Sequence, residues 1–229
     1  VLSAGHGSML LYSLLHLAGN LTLEDIKNFR QQGSLTPGHP EFGHTPAVAC
    51  TTGPLGQGIA NAVGMALAKK MKAEDGFIYV LAGDGCLQEG ISYEACALAG
   101  HWKLNNLVLL YDQNGITLDA PASRTQSESL QRFEAAGWEV ASVDGHDFVA
   151  LDKAFESLKS SSSGKPKILA VKTIVGKGIA EVEGKNAAHG EAGVKYAPAA
   201  LAKLGWEGRK AFEVKPEAYN FIPKRTAAT

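Results

Sequence analysis

Three apolar runs, each ending in a polar turn and separated from one another by helical patterns, constrain this chain more than any other feature. Phe77 to Ala82 runs into Gly83-Asp84-Gly85, Leu107 to Tyr111 into Asp112-Gln113-Asn114-Gly115, and Ile168 to Val175 into Gly176. Helical patterns occupy Ile91 to Trp102, Leu130 to Ala136 and Val149 to Lys159, and a further strand is predicted at Trp138 to Val143. Continuous apolar strands are covered on both faces, and strands that alternate with helices pair in parallel, since each crossover needs a dozen or more residues. The expectation is an α/β fold, a parallel sheet with helices on both faces.

The chain has 229 residues, 45% of them apolar, enough for one substantial core. Its 22 Lys and Arg against 23 Asp and Glu leave a formal charge of -1, which offers nucleic acid or an anionic membrane no bulk attraction. No stretch approaches the ~18 consecutive apolar residues of a membrane span. Nor does a signal-peptide pattern open the chain. Three cysteines without a CxxC pair suit a reducing compartment, so a cytoplasmic location is expected. Cys86 and Cys96 read as packing residues. The first residues, Val1-Leu2-Ser3, carry no initiator Met, and the chain is expected to be cut from something longer.

The first part reads as helical. Ser8 is predicted to cap Met9 to Leu17, with Gly19 as stop signal. Thr22 and Asp25 have capping-box spacing for a second short helix ending near Gly33. Ser34 to Gly58 is rich in Gly, Pro, Thr and His, a long irregular segment of the kind reserved for a site. Small residues from Pro54 to Ala73 then predict a closely packed helix.

Ligands of open α/β sheets bind outside the carboxyl ends of the strands. Asp84 follows one strand and Asn114 the next, thirty residues on, the length of a strand, a crossover helix and a second strand. A right-handed crossover returns both side chains to one edge, where they can share an ion. A carboxylate plus an amide oxygen suits magnesium, which commonly completes its octahedron with water and phosphate. Gly83 and Gly85 allow close backbone approach to a phosphate, and the next helix offers amide groups nearby. By itself, Gly-Asp-Gly is also an ordinary turn. Gly53, Gly56 and Gly58 lack the preceding strand and the acidic partner of a dinucleotide fingerprint.

Five segments in order, Ser3-Ala4-Gly5-His6-Gly7-Ser8, Pro37-Gly38-His39-Pro40-Glu41, TTGPLGQG from Thr51, GDGCLQEG from Gly83 and DQNGI from Asp112, resemble the transketolases over most of positions 1 to 206. The resemblance implies the thiamine diphosphate-binding fold, with residues 1–205 as the diphosphate-binding domain and 206–229 as the start of a linker to a pyrimidine-binding domain. It also implies magnesium or calcium held by Asp84, the Asn114 side chain and the Ile116 carbonyl. Gly85 and Asn114 would touch the diphosphate, and Gly53, Pro54 and Leu55 would line the cofactor, the Leu55 side chain supporting its bent form. His6 would contact the cofactor and His39 the sugar, with His189 near both. Around His189 the pattern departs from the family, which often has another histidine where Asn186 stands. Glu89 resembles a glutamate at the interface of a homodimer. His16, His44, His101 and His146 read as structural.

The implied reaction is reversible transfer of a two-carbon ketol unit between sugar phosphates, a step of the pentose phosphate pathway. The cofactor carries the hard chemistry, while imidazoles serve hydroxyl and carbonyl groups. Groups supplied by pyrimidine-binding and C-terminal domains, in cis or on another chain, would be needed, so negligible transfer is expected from these 229 residues alone. A dihydroxyacetone synthase, a phosphoketolase and a non-catalytic transketolase-like subunit stay open as alternatives.

Overall fold

The structure is a computed structural model that describes residues 1–125, 130–190 and 192–220. Four strands, β1 (Ile78–Gly83), β2 (Leu107–Gln113), β3 (Glu139–Asp144) and β4 (Lys167–Lys172), form a parallel sheet in the order β1-β2-β4-β3. The α-helices are α1 (Ser8–Leu17), α2 (Leu23–Lys27), α3 (Gln57–Met71), α4 (Asp84–Gln88), α5 (Gly90–His101), α6 (Leu130–Ala135), α7 (Phe148–Ser160) and α8 (Ala192–Lys203). Among the described residues no helix is long and apolar enough to cross a membrane.

Alternation along the strands sorts side chains into two layers. Val80 and Ala82 of β1, Leu107, Leu109 and Tyr111 of β2, and Ile168 and Ala170 of β4 pack against Ile59, Ala62, Val63 and Ala66 of α3, Ala95, Cys96 and Ala99 of α5, and Phe133 of α6. The opposite face places Val108 and Leu169 against Leu158 and Ala154 of α7. Chain direction accounts for this division. The connections β1 to β2 and β2 to β3 advance across the sheet, whereas β3 to β4 steps back, so a right-handed crossover puts α7 on the other face. Each fully buried Leu or Val contributes about 1.5 to 3 kcal/mol relative to exposure. The buried Lys167 lies at the amino edge, its Nζ donating to the Asn105 carbonyl at 2.8 Å.

Several local expectations need correction. Ser8 is not the cap of α1 but its first residue; Gly7 occupies the cap, and Ser8 Oγ donates to the Gly38 carbonyl at 2.8 Å. That hydroxyl serves the loop rather than its own helix. The Thr22–Asp25 capping box is present, yet α2 stops at Lys27, well before Gly33. Between β1 and α5 the residues Asp84–Gln88 form a separate helix, α4, with Glu89 in extended backbone before α5. Helix α8 was not read from the sequence, since Pro198 lies inside it. The small residues of α3 serve two surfaces: Ala62 and Ala66 are buried, while Ala60, Gly64 and Ala68 line an open concavity.

The expected linker at 206–229 is described only as far as Asn220. Its short 3-10 helix at Pro216–Asn220 folds back on α1, where the Tyr219 hydroxyl lies 3.0 Å from His16 Nε2.

Candidate cofactor site

The site begins with the first residues of the chain. Leu2 bridges Leu81 in parallel, the Leu81 amide donates to the Val1 carbonyl and the Ser3 amide to the Leu81 carbonyl. This stub runs alongside β1 in the same direction, so Gly5, His6 and Gly7 emerge near the carboxyl edge. Thr52 Oγ1 donates to the Leu2 carbonyl at 2.7 Å and brings the Thr51–Gly58 segment alongside. A Cβ on Gly5 would lie 3.0 Å from both the Gly53 amide nitrogen and Thr52 Oγ1, a tight contact that glycine avoids.

Buried hydroxyls shape the irregular loop. Tyr12 donates to the Pro37 carbonyl at 2.8 Å, Thr36 to the Asp25 carbonyl at 2.6 Å and Thr45 to the Leu35 carbonyl at 2.8 Å. The Thr52 amide donates to the Pro40 carbonyl at 3.1 Å. Side chains therefore satisfy backbone groups that have no ladder partner. The result holds His39 against Gly53, where a Cβ would stand 3.4 Å from the His39 ring.

His6, His39 and His189 converge. The rings of His6 and His189 lie 5.0 Å apart between centroids, tilted by 38°. The protein packed around His6 pushes its pKa below the usual histidine value, and possible charges on His189 and His39 push it further, against the opposing pull of Asp112. The cluster thus favours a neutral imidazole at position 6. By contrast, His16 and His44 are within hydrogen-bonding distance of the Leu21 and Ser34 carbonyls, at 2.9 and 2.8 Å.

Asp84, at the end of β1, is 3% exposed. Its Oδ1 accepts from the Tyr111 hydroxyl at 2.6 Å, and its Oδ2 accepts from the amides of Asn114 at 3.1 Å and Gly115 at 2.9 Å. The two strand ends meet because Gly83 is in register with Asp112. Burial raises the Asp84 pKa, the three donors oppose that rise, and Asp112 adds to it. Ion pairs to Lys or Arg reach neither carboxylate among the described residues.

Asn114 Oδ1 accepts from the Ile116 amide at 3.0 Å. In the bridge between Ile116 and Pro121 the cross-links are made by Thr117 to Ala120 and by Ala122 to Gly115. Ile116 is therefore the non-bonded member of an antiparallel pair, its own amide and carbonyl directed to the other side. Leu55 reaches Gly85, where a Cβ would stand 3.1 Å from Leu55 Cδ1. Pro54 precedes α3, its carbonyl accepting from the Gln57 amide at 3.4 Å. Gly56 has φ of 79°, and a Cβ there would lie 2.8 Å from Glu89 Cβ. Glu89 itself is exposed.

The donor set suits a hard divalent cation carried with a diphosphate. Among the described residues no three His, Cys, Asp or Glu side chains come together as a metal cage. A cation here would therefore draw on Asp84, amide and carbonyl oxygens, and ligand phosphate, the pattern typical of magnesium. Two carboxylates sharing a partly buried edge with neutral donors only are also short of positive charge.

Reading the sequence missed Asp112, Tyr111 and Thr173. Asp112 was legible, since a residue two before Asn114 on an extended chain projects to the same side. Tyr111 and Thr173 were not, because their places depend on strand register.

Fold and site together define a parallel α/β cofactor domain with an anionic oxygen cluster at its carboxyl edge. The family model "Transketolase, thiamine diphosphate binding domain" matches residues 1–229, and the chain belongs to that family. A transketolase of Physarum polycephalum is 53% identical over 228 residues, covering 94% of this chain and 34% of the relative. A solved transketolase of Campylobacter jejuni is 45% identical with a TM-score of 0.92, covering 97% of this chain and 36% of that one. The Pichia stipitis transketolase in complex with sedoheptulose 7-phosphate is 38% identical with a TM-score of 0.91, covering 96% and 35%. This chain spans about a third of the length of these relatives.

Proposed function

We propose that the protein carrying this chain is a transketolase that moves a two-carbon ketol unit reversibly from a ketose phosphate to an aldose phosphate. Residues 1–205 are its diphosphate-binding domain, and the segment from 206 leads toward pyrimidine-binding and C-terminal domains. The observation that carries the reading is the convergence of Asp84 on the Asn114–Gly115 turn. Family membership and the sedoheptulose 7-phosphate complex of the Pichia stipitis relative support the cofactor and the substrate class.

In this reading Asp84, Asn114 Oδ1 and the Ile116 carbonyl hold magnesium or calcium, and Gly85 and Asn114 meet the diphosphate. Gly53, Pro54 and Leu55 line the cofactor. Bound thiamine diphosphate supplies a carbon nucleophile and an electron sink at the ketose carbonyl. His6, kept neutral, contacts the cofactor without adding charge. His39 and His189 hydrogen-bond the sugar and exchange protons with its hydroxyl and carbonyl oxygens, a task suited to imidazole, whose two ring nitrogens can donate and accept. A homodimer is part of the proposal: the exposed Glu89 and the open small-residue face of α3 support an interface there.

The test is ketol transfer by the full-length protein with thiamine diphosphate, Mg2+ and paired sugar phosphates. Transfer abolished by chelation and restored by Mg2+ is expected, and the 229-residue chain alone should be inactive. Turnover indifferent to the cofactor, or equal turnover by the isolated chain, would overturn the proposal.

A further inference from the structure

Asp112 stands between two strand ends. Its Oδ2 accepts from Asn114 Nδ2 at 3.2 Å, and its Oδ1 accepts from Thr173 Oγ1. Thr173 directly follows β4, and its amide donates to the Gln113 carbonyl at 3.2 Å, so β2 and β4 are joined here through both backbone and side chain. A side-chain amide has two chemically different ends that a half-turn about its last bond would exchange. A carboxylate at position 112 accepts and does not donate, so it selects the Nδ2 end. Oδ1 is left to the Ile116 side, where it accepts from the Ile116 amide at 3.0 Å with one lone pair still to offer.

We propose that Asp112 is a positioning residue: clamped by Thr173, it locks the Asn114 amide with Oδ1 facing the Ile116 side. The inference rests on the reading of Asn114 as a cation ligand. Without the lock, only the Ile116 amide would oppose the reversed orientation, which offers an NH2 group to the cation. The role lies in hydrogen-bond polarity rather than charge. An asparagine at 112 can perform it, since its oxygen can accept from Asn114 while its NH2 donates to Thr173 Oγ1. Alanine cannot.

The experiment uses Mn2+ as the probe, its affinity for the full-length protein measured by electron paramagnetic resonance with thiamine diphosphate present. Asp112→Ala is expected to weaken Mn2+ binding by about 10-fold or more, the scale typical of groups that orient a metal ligand. Asp112→Asn should stay within about threefold of the wild type, and Thr173→Val should fall between the two. Wild-type affinity in Asp112→Ala, or equal losses in Asp112→Ala and Asp112→Asn, would overturn the proposal. If Asp112→Ala does not fold, the comparison of Asp112→Asn and Thr173→Val with wild type decides. Asp84→Ala is the separate control: unchanged Mn2+ affinity there would sink the cation site itself, whereas loss there beside an indifferent Asp112→Ala would sink only the role of Asp112.

Discussion

The Asp84 carboxylate receives the backbone amide of Asn114 at 3.1 Å, a contact across 30 residues that joins the end of β1 to the turn after β2. One side chain thus shapes the start of the turn that carries the Asn114 side-chain oxygen and the Ile116 backbone. Asp84→Asn keeps the size of that side chain and removes its charge. In the full-length protein it is expected to lower Mg2+-dependent thiamine diphosphate affinity on the order of 100-fold, as for loss of a direct ligand. Cofactor titration followed by fluorescence quenching measures it, and an unchanged curve would reject the assignment.

Tyr111→Phe removes the hydroxyl that donates to Asp84 Oδ1 at 2.6 Å. A hydrogen bond to a charged group is worth about 1.5 to 3 kcal/mol, and a loss of that size is expected in urea unfolding. Burial already raises the Asp84 pKa, so its contribution to stability is fullest below the ordinary carboxylate range and is lost as pH rises through the folded value. Losing the donor raises that value further. Cation binding competes with the proton, so its midpoint should move to higher pH in Tyr111→Phe.

His6 titrates below the ordinary histidine value because of burial and the neighbouring His189 and His39. Its stabilising contribution is present above the unfolded histidine pKa and is lost as pH falls through the lower folded value. His189→Asn removes one like charge and should bring the His6 titration back toward the ordinary value in NMR. A shift to lower pH instead would contradict the coupling.

Gly100→Ala tests the core without touching the site. A Cβ at position 100 would stand 1.7 Å from the Ala136 carbonyl oxygen, so α5 or the chain after α6 must move. Destabilisation of about 3 kcal/mol or more is expected from thermal or urea unfolding. A melting temperature equal to wild type would be inconsistent with this packing.

The apolar runs and intervening helical patterns were enough to predict four parallel strands and three crossover helices, because period and run length are local properties of the chain. Composition likewise marked the loop from Ser34 to Gly58, and the strand-end polar residues Asp84 and Asn114 stood out within each turn. Register could not be read this way. That Gly83 faces Asp112, that Asp112 is clamped by Thr173, and that His6 meets His189 across most of the chain all depend on how separate segments pack. Ser8 shows the same limit: a residue with good capping chemistry donates instead to the Gly38 carbonyl, a partner 30 residues away that only the tertiary fold brings near. Sequence determined the four strands, the three crossover helices and the polar residues that end the strands, since those follow from local sterics and hydrophobic period. Tertiary structure decided which of them touch, since hydrogen bonds between distant segments form only once strand register has brought their partners within about 3 Å.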